Sequence, residues 1–154
     1  MVTKADFTAD EWHLLVALPY AVSTAIIASA PNVMGVWSEV KATIEAPQAL
    51  APASGSVLAG LVNADAQPKQ KELIQEEQHI WRKDMAGYRT KVVAECKSVA
   101  NALSKVPAEE AVAYKKWVIA VGQKVAEASK EHGVAVSDPE KEALSEISAA
   151  LGLT

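Results

Sequence analysis

From Leu14 to Ala30 the chain carries no charged residue. A stretch like this has three ordinary fates: a membrane span, a secretion signal, or a helix enclosed by other helices. Its length sits at the lower limit for crossing a bilayer. It is rich in Ala, holds Tyr20, Ser23 and Thr24, and has no flanking Lys or Arg cluster to orient it. The residues before it are acidic, and Pro31 follows Ala28–Ser29–Ala30 at an unfavourable cleavage point. No signal is therefore expected, and Met1 is read as the start of the working chain. A helix that is apolar on every side is normally a buried one. The expected fold is all-α, with a central apolar helix over residues 8–30 and the other helices packed around it.

The start of that helix is strongly marked. Thr8 stands at the N-cap and Glu11 three residues on, a capping box, while Phe7 and Trp12 occupy the two positions of a hydrophobic staple. Asp10 and Glu11 place negative charge at the positive end of the helix dipole. Pro19 lies well inside, removes one backbone bond and predicts a kink. Pro31 marks the stop.

The 154 residues fit one domain, 1–154, able to bury about two-thirds of its unfolded surface. No alternating strand pattern appears, which supports an all-α bundle. A net charge of −4 without a basic patch excludes a nucleic-acid footprint. The single cysteine, Cys96, rules out an internal disulfide and fits a reducing compartment, so a cytoplasmic location is expected.

Beyond the first helix, Asn32 is a candidate cap for a second. Val33, Trp37, Val40 and Ile44 form its apolar face, with Glu39, Lys41 and Glu45 off that face, and Pro47 predicts its end. Residues 46–56, rich in Pro, Ala and Ser with Gly55, read as a mobile loop. Val57–Val62 is a short apolar run, Asn63–Gln67 a turn, and Pro68 a helix start. One long helix is expected from Pro68 to about Lys105, buried along Leu73, Trp81, Tyr88, Val92, Val99 and Leu103, with Gly87 its weak point. Pro107 opens another, with Ala111, Tyr114, Val118, Val121, Val125 and Ala128 as its seam and His132–Gly133 as its end. Ser137–Asp138–Pro139–Glu140 forms a second capping box ahead of Leu144, Ile147 and Leu151. The expected architecture is thus four long helices plus a C-terminal helix. Trp12, Trp37, Trp81 and Trp117 fall one on each long helix, as anchors of a shared core.

Three segments resemble a family of small, uncharacterised bacterial all-helical proteins. They are Phe7–Thr8 with Glu11–Trp12 and Leu15; Tyr114–Lys115 with Trp117–Val118, Val125–Ala126 and Ala128; and Val136–Ser137 with Glu140, Leu144 and Ile147. The likeness covers the two ends and leaves the middle unmatched. It implies a bacterial cytosolic helical domain and brings no chemistry with it.

Few positions offer chemistry. His13, Tyr20 and Thr24 point within about 40° of one another on a helix, a narrow polar seam with Ala17 between. It reads either as the lining of a ligand pocket, with Trp12 and Trp117 as aromatic walls, or as plain interhelical hydrogen bonding. Glu76 and His79 have the Glu-x-x-His spacing of carboxylate-bridged di-iron bundles. The second copy such a site needs is missing, Asp10 and His13 being the nearest substitute. Glu77 and Asp84 fall nearer the buried face than Glu76 and His79 do. His132 closes a helix at the negative end of its dipole, which needs no function. Cys96 has no partner to activate it. No nucleotide-binding, hydrolase or zinc motif is present, and no cofactor is expected.

Three functions compete on this reading. The first is a non-enzymatic bundle that self-associates or binds a protein partner, with neither nucleic acid nor membrane involved. The second is a binder of an apolar small molecule or lipid between kinked helix 1 and the Trp-bearing helices. The third is a ferritin-like metal oxidoreductase using Glu76, His79, Glu77, Asp84 and His13.

Overall fold

The computed structural model describes residues 2–29, 36–128 and 136–153, without the side chains of 36 and 37. Pro31, Asn32, Val33, the Trp37 side chain, His132 and Gly133, all given roles above, lie outside the described residues. Within them the chain forms seven α-helices and no strand. They are α1 (Ala9–Ser29), α2 (Val36–Leu50), α3 (Val57–Ala66), α4 (Gln70–Lys83), α5 (Tyr88–Ala102), α6 (Ala108–Ala128) and α7 (Asp138–Ala150).

The apolar run is the axis of the bundle. α1 packs against each of the other six helices, and every residue from Leu15 to Ile26 is buried. Its start forms as the sequence predicts. The Thr8 N–H donates to Glu11 Oε1 at 2.8 Å and the Glu11 N–H to Thr8 Oγ1 at 3.1 Å, while the Phe7 and Trp12 rings lie 6.0 Å apart. The Lys105 ammonium reaches the same Glu11 carboxylate and, with the cap, holds its pKa below the usual value.

Inside α1, Pro19 has no N–H to give the Leu15 carbonyl. The Tyr114 hydroxyl of α6 takes that place and donates to Leu15 O at 2.6 Å. Ser23 and Thr24 dispose of their own hydroxyls by donating to the carbonyls of Pro19 and Tyr20, at 2.7 and 2.8 Å. The hydroxyls on the axis and the carbonyl freed by Pro19 thus all have partners within the bundle. α6 runs parallel to α1. Tyr114 meets Leu15 near one end, and further along a Cβ on Gly122 would stand 3.1 Å from both Val22 and Leu144, so any larger residue would push those two side chains aside where α1, α6 and α7 close.

The long helix is interrupted at residues 84–87, at the weak point that Gly87 marks in the sequence. The Asp84 carboxylate accepts from the Gly87 N–H at 2.9 Å, and a Cβ at 87 would fall 2.9 Å from Asp84 Cγ. Two shorter helices at an angle replace one rod.

Pro47 does not stop α2, which continues to Leu50. Residues 46–56 are consequently not a loop: they hold the last turn of α2, a 3-10 turn at Pro52–Ser54, Gly55 at φ 73° and the Ser56 cap of α3. Ala46, Ala51 and Ser56 are buried there. Glu110 of α6 ties this corner down, accepting from Ser56 Oγ at 2.6 Å and from the Leu58 N–H at 2.7 Å. α3 likewise extends through the expected turn to Ala66.

The face of α2 is also different. Ile44 is 43% exposed and Val40 half-buried, whereas Glu39, Thr43, Ala46 and Pro47 face inward. Trp117 explains part of this, since its indole N–H donates to Pro47 O at 3.1 Å and draws that side of α2 onto α6. The second capping box forms as expected: the Ser137 N–H donates to Glu140 Oε1 at 3.1 Å and the Glu140 N–H to Ser137 Oγ at 3.3 Å.

Candidate functional site

The polar seam of α1 is only partly assembled. His13 is exposed. Tyr20 is buried, and its hydroxyl accepts from Gln70 Nε2 at 3.1 Å; the same amide group donates to Ile44 O at 2.7 Å. Thr24 is buried one turn further on. Two of the three seam residues therefore face the seam between α1, α2 and α4, and the third faces water.

At that seam lies a cleft of about 200 Å³. α1 contributes Thr24 and Ile27, and α2 contributes Val40 and Thr43. α4 supplies Ile74, Gln78, Trp81 and Arg82. The walls are chiefly apolar, and the guanidinium and amide stand among them. Trp81 also walls a second cleft of about 220 Å³, formed by Ala25, Ala28 and Ser29 of α1 with Met85, Ala86, Tyr88 and Arg89. One half-buried indole thus separates two hollows along the same flank of α1.

Behind Trp81, one helical turn earlier, is Glu77, only 5% exposed. The Tyr88 hydroxyl donates to its Oε1 at 2.7 Å. Burial pushes the Glu77 carboxyl up, against the opposing pull of the phenol. The Tyr88 phenol is raised in turn, by burial first and then by the Glu77 charge, while the Thr24 hydroxyl acts on it in the opposite direction. Thr24 lines one cleft and Tyr88 the other, and Tyr88 links in turn to Glu77, which lines neither.

The remaining candidates are engaged elsewhere. The Trp12 indole N–H donates to Asp65 Oδ2 at 2.7 Å, with the Lys4 ammonium 5.6 Å from the ring centre. That indole bond is the chief cause of the lowered Asp65 pKa. Trp117 is spent on Pro47. Glu76, His79 and Asp84 are exposed, and Asp84 caps the turn before α5. They do not converge on Glu77, and among the described residues no group of three or more His, Cys, Asp or Glu is placed to hold a metal. Cys96 is buried, and burial pushes its thiol up to about 12, which keeps it protonated and unreactive.

A groove of about 290 Å³ between α2 and α6 is larger. Its floor is Ala42, Ala46 and Ala49, and its edges are Lys41, Glu45, Lys124 and Glu127. It has no aromatic wall and no buried hydrogen-bonding group, and its charges are those of a solvated face.

Thr24 and the helix bearing Trp81 were visible in the sequence. Ile74, Gln78, Arg82 and Arg89 do not stand out in the sequence, because the direction each half of the interrupted helix faces is set by its packing on α1 and α2. The break at Asp84–Gly87 is what turns Tyr88 back towards Glu77. The signal was present in Gly87, whose neighbour Asp84 is a natural turn former.

α1 is long and apolar enough to cross a membrane, and 72% of its most apolar window is buried inside the bundle. No protein-family model, no curated protein and no solved structure matches this chain.

Proposed function

We propose that the protein binds a small apolar or amphipathic molecule against Trp81, between α1, α2 and α4. The observation that carries this reading is a chiefly apolar cleft with Thr24, Thr43, Gln78 and Arg82 set among its walls, the usual make-up of a ligand pocket: apolar area for affinity and a few polar groups for orientation. Arg82 and Gln78 suit the polar end of the ligand, and Ile27, Val40 and Ile74 its body. The test is native mass spectrometry without detergent, together with titration of a fluorescent apolar probe. Trp81→Ala is expected to weaken probe binding at least tenfold while the fold, followed by circular dichroism, persists. Equal binding by wild type and variant would overturn the reading.

Self-association is a second reading, favoured by exposed Val57, Leu61 and Val112 around the joint where Glu110 ties the start of α3 to α6. Exposed apolar side chains gathered at one corner are a common mark of an interface. The paired change Val57→Glu and Val112→Glu is expected to convert any oligomer seen in sedimentation to monomer. An oligomer that survives it would remove this corner from consideration. The lone buried thiol suits a reducing compartment, which is where we place either activity.

A further inference from the structure

Among the described residues, three buried side-chain atoms have no hydrogen-bond partner, and two of them are the Oε2 atoms of Glu39 and Glu140. These side chains are 1% and 3% exposed. Glu39 is in the first turn of α2 and Glu140 in the first turn of α7. The topology brings those turns together. α1 and α6 run parallel, Tyr114 meeting Leu15 and Gly122 lying against Val22. α2 returns along α6 with Pro47 beside Trp117, and α7 returns with Leu144 beside Gly122. Both acids therefore lie at the end of the bundle where α6 finishes.

No described cation offsets them. α1 carries Asp10, Glu11 and His13 at its opposite end. On α2 and α6, Lys41, Glu45, Lys124 and Glu127 line the outer groove. Arg89 of α5 is paired with Glu146 of α7 at 2.8 Å. Glu140 is the charged group that acts on Glu39. Its own Oε1 accepts from Ser137 N and Ser137 Oγ, at 3.1 and 2.9 Å. An ionised carboxylate beside it, with an unpaired oxygen in the interior, carries a desolvation cost that a neutral acid largely avoids.

We propose that Glu39 is a neutral acid in the closed bundle and that its proton is a pH-sensitive latch. Losing it sets a second buried negative charge near Glu140 and loosens the end where α2 and α7 begin. Burial first, and the Glu140 charge second, push the Glu39 carboxyl from 4.5 up to about 8. A folded-state pKa above the unfolded one means that the folded state holds the extra proton. The stabilisation is complete below the ordinary glutamate range, falls through the interval from 4.5 to about 8, and is lost above it. Within that interval one such group changes the folding constant by up to about tenfold per pH unit.

The test is urea unfolding from about pH 5 to pH 9, on wild type, Glu39→Gln and Glu140→Gln, with infrared detection of protonated carboxyl groups at neutral pH. Glu39→Gln stays neutral at every pH. It is expected to flatten the profile, to exceed wild type in stability at the alkaline end and to lack one carboxylic-acid band that wild type shows. Glu140→Gln keeps the cap, since Gln also serves at that position, and is expected to move the wild-type decline to lower pH. Parallel profiles for wild type and Glu39→Gln would overturn the latch. So would a wild type showing no carboxylic-acid band that Glu39→Gln lacks. A rise in wild-type stability with calcium or manganese that Glu39→Gln does not share would also overturn it, assigning the pair to a cation. Should Glu39→Gln fail to fold, the infrared band in wild type and the displacement in Glu140→Gln still decide the matter.

Discussion

Glu77 and Glu39 are each a glutamate on a helix packed against α1, and each is at least nineteen-twentieths buried, at 5% and 1% exposure. In both, burial is the chief cause of a raised pKa. They differ in what they face. Glu77 receives the Tyr88 hydroxyl at 2.7 Å, which works against burial and against the Glu95 charge, with Lys91 acting more weakly on the same side as the phenol. Glu39 has an oxygen with no partner and a second acid for a neighbour. Burial alone does not decide what an interior acid does. A donor within reach offsets part of the burial cost and ties the acid to a partner, while its absence leaves an acid that burial and a neighbouring acid both push towards holding its proton.

The comparison is broken most sharply at alkaline pH. Between about pH 6 and pH 8 the folding constant of wild type is expected to fall by up to about a hundredfold relative to Glu39→Gln, as read from paired urea curves. Next in size is Tyr88→Phe. It removes the donor to Glu77 and so makes that region resemble the other. A loss of about 2 kcal/mol at neutral pH is expected, shrinking as acid protonates Glu77. A loss that stayed constant with pH would mean the phenol acts by packing rather than by its bond. The smallest effect is expected for Glu77→Gln, which keeps an acceptor for Tyr88 and should shift stability by less than about 1 kcal/mol. A large loss there would show that a charge on Glu77, and not only its acceptor oxygen, holds the pair together.

Much of the fold was legible, because it is written in local chemistry. Thr8 with Glu11, and Ser137 with Glu140, announce helix starts by side-chain bonds that span three residues. The charge-free run announces its own burial. What was not legible depends on partners far along the chain. Pro47 reads as a stop, yet α2 continues past it to Leu50, and Pro47 itself is held by the Trp117 indole of α6. Glu39 reads as a surface charge because nothing near it in sequence says that α7 begins beside it. The same holds for the cleft. Thr24 stood out as a polar residue on an apolar helix, but its neighbours Ile74 and Trp81 belong to α4, whose facing is set by the Asp84–Gly87 break.

Pro19 gives the molecule a timing constraint. The carbonyl of Leu15 has no intrahelical donor, and the group that satisfies it arrives from Tyr114, after most of the chain. On its own, or on a chain that stops short of α6, the middle of α1 carries an open acceptor in its most apolar stretch. Water can serve that acceptor only while the stretch stays wet. Burying the middle of the central helix without a stranded acceptor therefore requires α6, through a bond that joins residues 99 positions apart. Amide exchange around the kink should report the opening of that distant pairing, so that the interior of α1 and the start of α6 gain and lose protection together.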